Sequence, residues 1–252
     1  MKLLTLARDL KRRKARERQQ LFAAEGVRAV EELLRSPLRL RGALVAPQLS
    51  DAPRGAALLQ ALRDHGVELA ELPPLDFASA AETDSPQGVL AIGEIPLATI
   101  DGLLLPPRAR VVVLDGVQDP GNTGTILRTA AALGASAVIA MPGTVDLWNA
   151  KVIRSAMGAH FHMPAMSAGW EQLDALRRRD GVVLWGADAG GVALDDLPAP
   201  GRMALLVGNE GAGLSAEGRA RADAIVALPI GALVESLNVA VATGIFLYQL
   251  RQ

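Results

Sequence analysis

The sequence predicts an α/β protein of two modules, the second built on a mostly parallel sheet. Three observations lead there. Short apolar runs alternate with helix-like stretches along the chain. A proline-punctuated stretch at 96–108 separates a mixed first region from a second region whose runs, such as Val111–Leu114, are apolar throughout, as in strands buried on both faces. Clusters of glycine and polar residues follow several of these runs, where open parallel sheets collect ligands.

The elements follow in order. Residues 1–18 hold eight basic side chains (Lys2, Arg8, Lys11, Arg12, Arg13, Lys14, Arg16, Arg18) against Asp9 and Glu17, while the whole chain has a net charge of −1. Such a basic arm fits a polyanion partner or a solvated helix face. In the first module, 1–95, residues 20–36 are expected as an amphipathic helix through Leu21, Phe22, Val27, Val30, Leu33 and Leu34. A strand at Arg41–Ala46, a helix at Ala56–His65 ended by Gly66, and strands at Val67–Leu72 and Val89–Ile95 complete it. Residues 96–108 read as a linker. The second module, 109–252, starts with the Val111–Leu114 strand and a helix from Gly124 to Leu133. Then come strand Ala137–Met141, helices Ala150–Met157 and Trp170–Arg179, strands Val182–Trp185, Met203–Val207 and Ala224–Leu228, and a closing helix at Leu237–Leu250.

Composition excludes several chemistries. The 252 residues are 50% apolar and 21% charged, a globular balance. With no cysteine, disulfides, Cys-ligated zinc, iron–sulfur clusters and thiol catalysis fall away. The histidines are His65, His160 and His162. His160 and His162 would share a face on a strand, but no third ligand is obvious, so a structural role and no metal are expected. No apolar run reaches the length of a membrane span, and the N-terminus is too charged for a signal peptide, so a cytoplasmic protein is expected.

Three segments carry polar groups at strand ends. In Asp115–Ala130, Asn122 stands where a helix N-cap would be, and Arg128 lies further along that helix. A capped helix with a surface arginine explains it equally. In Leu205–Leu214, glycines 208, 211 and 213 alternate with Asn209 and Glu210. This is neither a dinucleotide fingerprint nor a P-loop, which argues against a nicotinamide enzyme, and a simple turn is the plainer explanation. In Leu228–Gly244, Glu235, Ser236 and Asn238 stand at the entrance of an apolar helix, with Ser236 as its expected cap. That helix is apolar on most sides, which suggests a subunit interface as well as a core. Lys151 and Arg154 would either touch phosphate or be solvated.

Together, "DPGNTGTILRTAAALGA", "LLVGNEGAGL" and "LPIGALVESLNVAVATGI" resemble, in order, the three motifs of the SpoU (TrmH-like) family of RNA ribose 2′-O-methyltransferases, of the SPOUT class. "FAAEGVRAVEELL" and "SPQGVLAIGEI" more loosely resemble that family's small substrate-binding domain, which is similar to ribosomal protein L30e. The resemblance implies a C-terminal SPOUT domain with a parallel sheet and a trefoil knot, holding S-adenosylmethionine. By motif position, Gly208, Leu228 and Leu237 would supply backbone contacts to the donor, flanked by Val207 and Asn209, with Pro229 and Ile230 shaping the adenine pocket. Asn122, Arg128, Glu210, Ser236 and Asn238 would form the polar catalytic set. Thr123 takes a place often aliphatic in the family. Arg128 would stabilise the developing alkoxide or, more boldly, act as a base; an arginine is normally always protonated, which favours the first. The implied partners are structured RNA, chiefly ribosomal RNA, and a second copy of the chain. A tRNA target, or a catalytically silent RNA-binding factor on the same scaffold, remain the alternatives.

Overall fold

The computed structural model describes residues 2–231 and 233–251. They form two compact units, 2–97 with 148–162, and 98–147 with 163–231 and 233–251.

The first unit starts with α1 (Lys2–Asp9) and α2 (Arg13–Gln19). The basic arm is therefore folded. Leu3, Ala7 and Leu10 are buried in the core of this unit with Phe77, Leu90 and Ile92. Several of the arm's cations are used inside the fold. Buried Arg16 donates to the carbonyls of Leu10 and Lys11, and Lys11 donates to the Ser79 and Ala81 carbonyls.

The expected helix over 20–36 is two elements, β1 (Leu21–Glu25) and α3 (Val27–Arg35). Gly26, at φ 97°, makes the break with a conformation other residues rarely adopt. Strands β2 (Leu40–Val45), β3 (Leu69–Glu71) and β4 (Val89–Glu94) join β1 in the order β1-β4-β2-β3. Only the β2–β3 pair is parallel. Helices α4 (Pro53–Asp64) and α5 (Pro74–Ala80) complete the N-terminal part.

Residues 148–162, expected in the second module, pack with the first unit. They carry α7 (Ala150–Ala156) and a 3-10 turn at Ala159–Phe161. Trp148, tilted, and Phe161, stacked, pack against the fully buried Phe22, with ring centroids 4.8 and 5.2 Å away. His160 sits in this aromatic cluster, on a turn rather than a strand, while His162 lies 3.3 Å from Glu32. No group of potential metal ligands occurs among the described residues. Lys151 is exposed, whereas Arg154 is half-buried.

The second unit has one parallel sheet in the order β10-β8-β9-β5-β6-β7. Its strands are β5 (Ala109–Asp115), β6 (Ala137–Ala140), β7 (Ala165–Ser167), β8 (Val183–Ala193), β9 (Arg202–Gly208) and β10 (Ala224–Ala227). The central runs are fully buried, as their apolar sequence requires. Helices α6 (Pro120–Ala132), α8 (Trp170–Asp180), α9 (Ala216–Arg221) and α10 (Val239–Leu250) cover the sheet. The expected linker at 96–108 is held against this unit from residue 98 onward. Ile100 and Leu103 are buried in its core, and Arg179 donates to the Asp101 and Leu103 carbonyls at 2.6 Å each.

Candidate active site

From β5 the chain runs outward through β6 to β7. It then returns on the other side, where β9 pairs with β5. This is a topological switch point, and a crevice is expected beyond the strand ends there. Asp115 and Gly208 stand opposite each other at those ends. A cavity of about 490 Å³ lies in this region, lined by residues 187–189, by Val207–Glu210 with Gly211 and Gly213, and by Leu228, Ile230 and 236–239. Its size is that of a small-molecule site, roughly 300–1,000 Å³.

The loop after β9 folds back on itself. Asn209 and Gly213 exchange two backbone hydrogen bonds of 2.9 Å, and Gly213 has φ 68°. A Cβ on Gly208 would fall 2.2 Å from the carbonyl carbon of Gly213, so position 208 admits only glycine without movement of the turn. The Asn209 side chain fastens the loop. Its Nδ2 donates to the Gly116 carbonyl at 2.8 Å, and its Oδ1 accepts from the amides of Gly211 and Ala212 at 3.0 Å.

Two helix caps differ from expectation. Asp119 caps α6 by accepting from the Asn122 amide at 2.7 Å, because Pro120 opens the helix and leaves Asn122 inside its first turn. Asn238, not Ser236, caps α10, accepting from Ala240 at 2.9 Å and Val241 at 3.3 Å. Freed from capping, the Asn122 side chain sits between two others. Its Nδ2 donates to Glu210 Oε1 at 3.1 Å, and its Oδ1 accepts from Asn238 Nδ2 at 2.9 Å. Glu210 also accepts from the amides of Asp119 at 3.1 Å and Gln118 at 3.2 Å. Partial burial opposes the Glu210 charge, but the hydrogen bonds from Asn122 and the backbone outweigh it and hold the carboxyl below its ordinary value.

An ionised carboxylate only accepts, so it fixes the orientation of both amides. Asn122 must turn its NH₂ toward Glu210. Its carbonyl then faces the NH₂ of Asn238, whose own carbonyl is left for the cap.

The structure thus brings Asn122, Val207, Gly208, Asn209, Glu210, Leu228, Ile230, Ser236, Leu237 and Asn238 to one cavity. Pro229 and Arg128 are exposed and lie outside its wall. The side chain of Arg128 has no partner among the described residues. Sequence reasoning missed the acceptors' backbone donors at Gln118 and Asp119, and it missed Asp188. The signal for Asp188 was present, since "GADAGG" also puts glycine and polar groups beyond a buried run.

Comparison with known proteins decides the kinship. Residues 109–248 match the SpoU rRNA methylase family. The chain belongs to that family. Residues 5–91 match the MRM3-like substrate binding domain. The SpoU chain is 36% identical to the 23S rRNA (guanosine(2553)-2′-O)-methyltransferase RlmP of Bacillus subtilis, covering 97% of this chain and 94% of the relative. It is 33% identical to the 23S rRNA (guanosine-2′-O-)-methyltransferase RlmB of Salmonella typhi, over 89% and 95%. Among solved structures, the SpoU methyltransferase AviRb from Streptomyces viridochromogenes, in complex with AdoMet, aligns with a TM-score of 0.88 at 29% identity, covering 98% of this chain and 96% of that one.

This SpoU protein is a methyltransferase with S-adenosylmethionine as methyl donor. The cavity residues fit that group. Two carboxylates, Asp188 and Glu210, line the wall, and no lysine or arginine is among the lining residues. Such a wall offers carboxylate acceptor positions to the hydroxyl and amino groups of the donor.

Proposed function

We propose that the protein methylates a ribose 2′-hydroxyl of 23S ribosomal RNA. The observation that carries the proposal is the Glu210–Asn122–Asn238 chain of hydrogen bonds on the cavity wall. Together with relatives named for 23S rRNA 2′-O-methylation, it supports a site built to orient a hydroxyl.

The bound donor supplies an electrophilic methyl group on a sulfonium. The protein's residues must then present a poor nucleophile in line. Asn122 and Asn238, their amides fixed by Glu210, hold the sugar and the α10 entrance in register. The donor, held at Gly208, Leu228 and Leu237, would supply the methyl group with its neutral thioether as leaving group, and the hydroxyl proton would pass to an RNA phosphate oxygen or water. Arg128, without a partner among the described residues, pairs with the alkoxide or its neighbouring phosphate when RNA is bound. Alignment supplies most of the acceleration.

The first unit would grip RNA through shape and phosphate contacts. Exposed Lys2, Arg8, Arg12 and Arg18 line an open groove of about 860 Å³ on α1 and α2. A homodimer is supported by Val241, Ile245 and Tyr248, which form an exposed apolar stripe on α10. A trefoil knot is supported by the residues from three separate stretches, 187–189, 207–211 with Gly213, and Leu228 and Ile230 with 236–239, that line one cavity. A cytoplasmic location is supported by the proposed ribosomal RNA substrate. Separately, no described helix is long and apolar enough to cross a membrane.

The test is a ribose-methylation map of total RNA from cells with and without the protein. One 2′-O-methyl mark in 23S rRNA should disappear. Loss of a tRNA mark with 23S rRNA unchanged would refute the assignment.

A further inference from the structure

Asp188 stands on β8, in the wall of the cavity, and nothing in the catalytic account above uses it. Its carboxylate is held from two sides. Oδ1 accepts from the Gly190 amide at 3.0 Å, and Oδ2 accepts from Arg219 on α9 at 2.6 Å. The Gly190 amide favours the charged form first, burial opposes it, and Arg219 adds to the amide, so the carboxyl is held below its ordinary value. Oδ2 also faces the loop after β9, since a Cβ on Gly213 would lie 3.7 Å from it.

The two cavity carboxylates differ in what they have left to give. Glu210 already accepts from three donors within the protein. Asp188 accepts from two, and an ionised carboxylate has about four acceptor positions. Its charge is compensated by Arg219, so a second cation would gain little there. Neutral hydroxyl donors lose nothing by that compensation, and two adjacent hydroxyls match two adjacent free acceptor positions. Arg219 and Gly190 also fix the carboxylate's rotation, which lowers the ordering cost of receiving them.

We infer that Asp188, held by Arg219 and Gly190, accepts the ribose hydroxyls of the methyl donor's nucleoside. This rests on the cavity being the donor site. Asp188 is then a specificity determinant for a ribonucleoside donor and takes no part in methyl transfer.

The test is titration calorimetry on the full chain, with S-adenosylhomocysteine and its 2′,3′-dideoxy analogue as probes. Wild-type protein should bind the analogue at least about 10-fold more weakly. Asp188→Ala should weaken S-adenosylhomocysteine by a similar factor and should no longer distinguish the two probes. Its KM for donor should rise while kcat at saturating donor and KM for RNA hold. Asp188→Asn keeps the shape and should discriminate less than wild type, which decides the matter if the alanine variant does not fold. Undiminished discrimination in either folded variant overturns the role of Asp188 and leaves the cavity assignment intact. Absence of any binding by wild type overturns both.

Discussion

Glu210 can orient two asparagines only while it is ionised. Its folded pKa lies below the ordinary value of 4.5, because hydrogen bonds outweigh partial burial. The stabilisation this gives is complete above that ordinary value and is lost as pH falls through the folded one. Glu210→Gln offers one carbonyl to three donors. It should lower kcat on the order of 10²-fold through misplacement of Asn122. It should also flatten the acid limb of stability below about pH 4.5, read by urea unfolding at stepped pH; an unchanged limb would contradict the account. Arg128→Ala should leave S-adenosylhomocysteine affinity within about 2-fold, because the side chain lies outside the cavity wall, yet reduce methylation at least 10²-fold. Single-turnover assays with saturating donor separate the two effects. At this scale the sequence was partly legible. Asn122, Glu210 and Asn238 stood out as polar groups at strand and helix ends, but their roles did not. Which residue caps a helix depends on where the first turn begins, and Pro120 moved that by three residues.

Helix α10 shows how an apolar element is finished at both ends by other parts of the chain. Asn238 caps its N-terminus, and Arg110 of β5 donates to the Leu250 carbonyl at 2.8 Å, since no basic residue occupies the last turn. One stripe packs inward through Thr243, Phe246, Leu247 and Leu250; another, through Val241, Ile245 and Tyr248, is uncovered. Ile245→Asp should convert a dimer to a monomer in light scattering at micromolar concentration, with little change in monomer melting, because Ile245 is 39% exposed in the single chain. Wild-type protein that is already monomeric would remove the interface. The strands of the second unit were readable because burial on both faces leaves continuous apolar runs. The first strand was not. Leu21 and Phe22 fit a helical period with Val27 and Val30, and only the φ of Gly26 separates the two elements. The sequence ends β8 at Trp185 because "GADAGG" has turn composition; only Gly186 of it pairs with β10, and the pairing resumes at Val192 and Ala193 after a register shift.

For the molecule as a whole, local periodicity identified residues 150–157 as helical but could not say which core they join. That is decided by Phe22, more than a hundred positions away, which needs Trp148 and Phe161 for cover. The same cluster buries His160 with both ring nitrogens unpartnered among the described residues, and burial pushes its pKa down to about 3. The unfolded chain takes up that proton near pH 6.5, so stability should decline as pH falls from about 6.5 toward 3. His160→Leu should remove much of this slope between pH 7 and 5 in chemical unfolding; an identical slope would place its origin elsewhere. A fragment ending at residue 97 leaves Phe22 bare and should bind a hydrophobic dye, whereas adding the 98–252 fragment should quench that signal.

The path of the chain, out of one unit, into the other and back again, bears on how such a protein can be cut or recombined. A protease that nicks it near residue 98 yields two pieces that still share an interior, because the C-terminal piece brings its partner's missing wall with it. A gene fusion made at the same point would deliver a substrate-binding module with a hole beside Phe22.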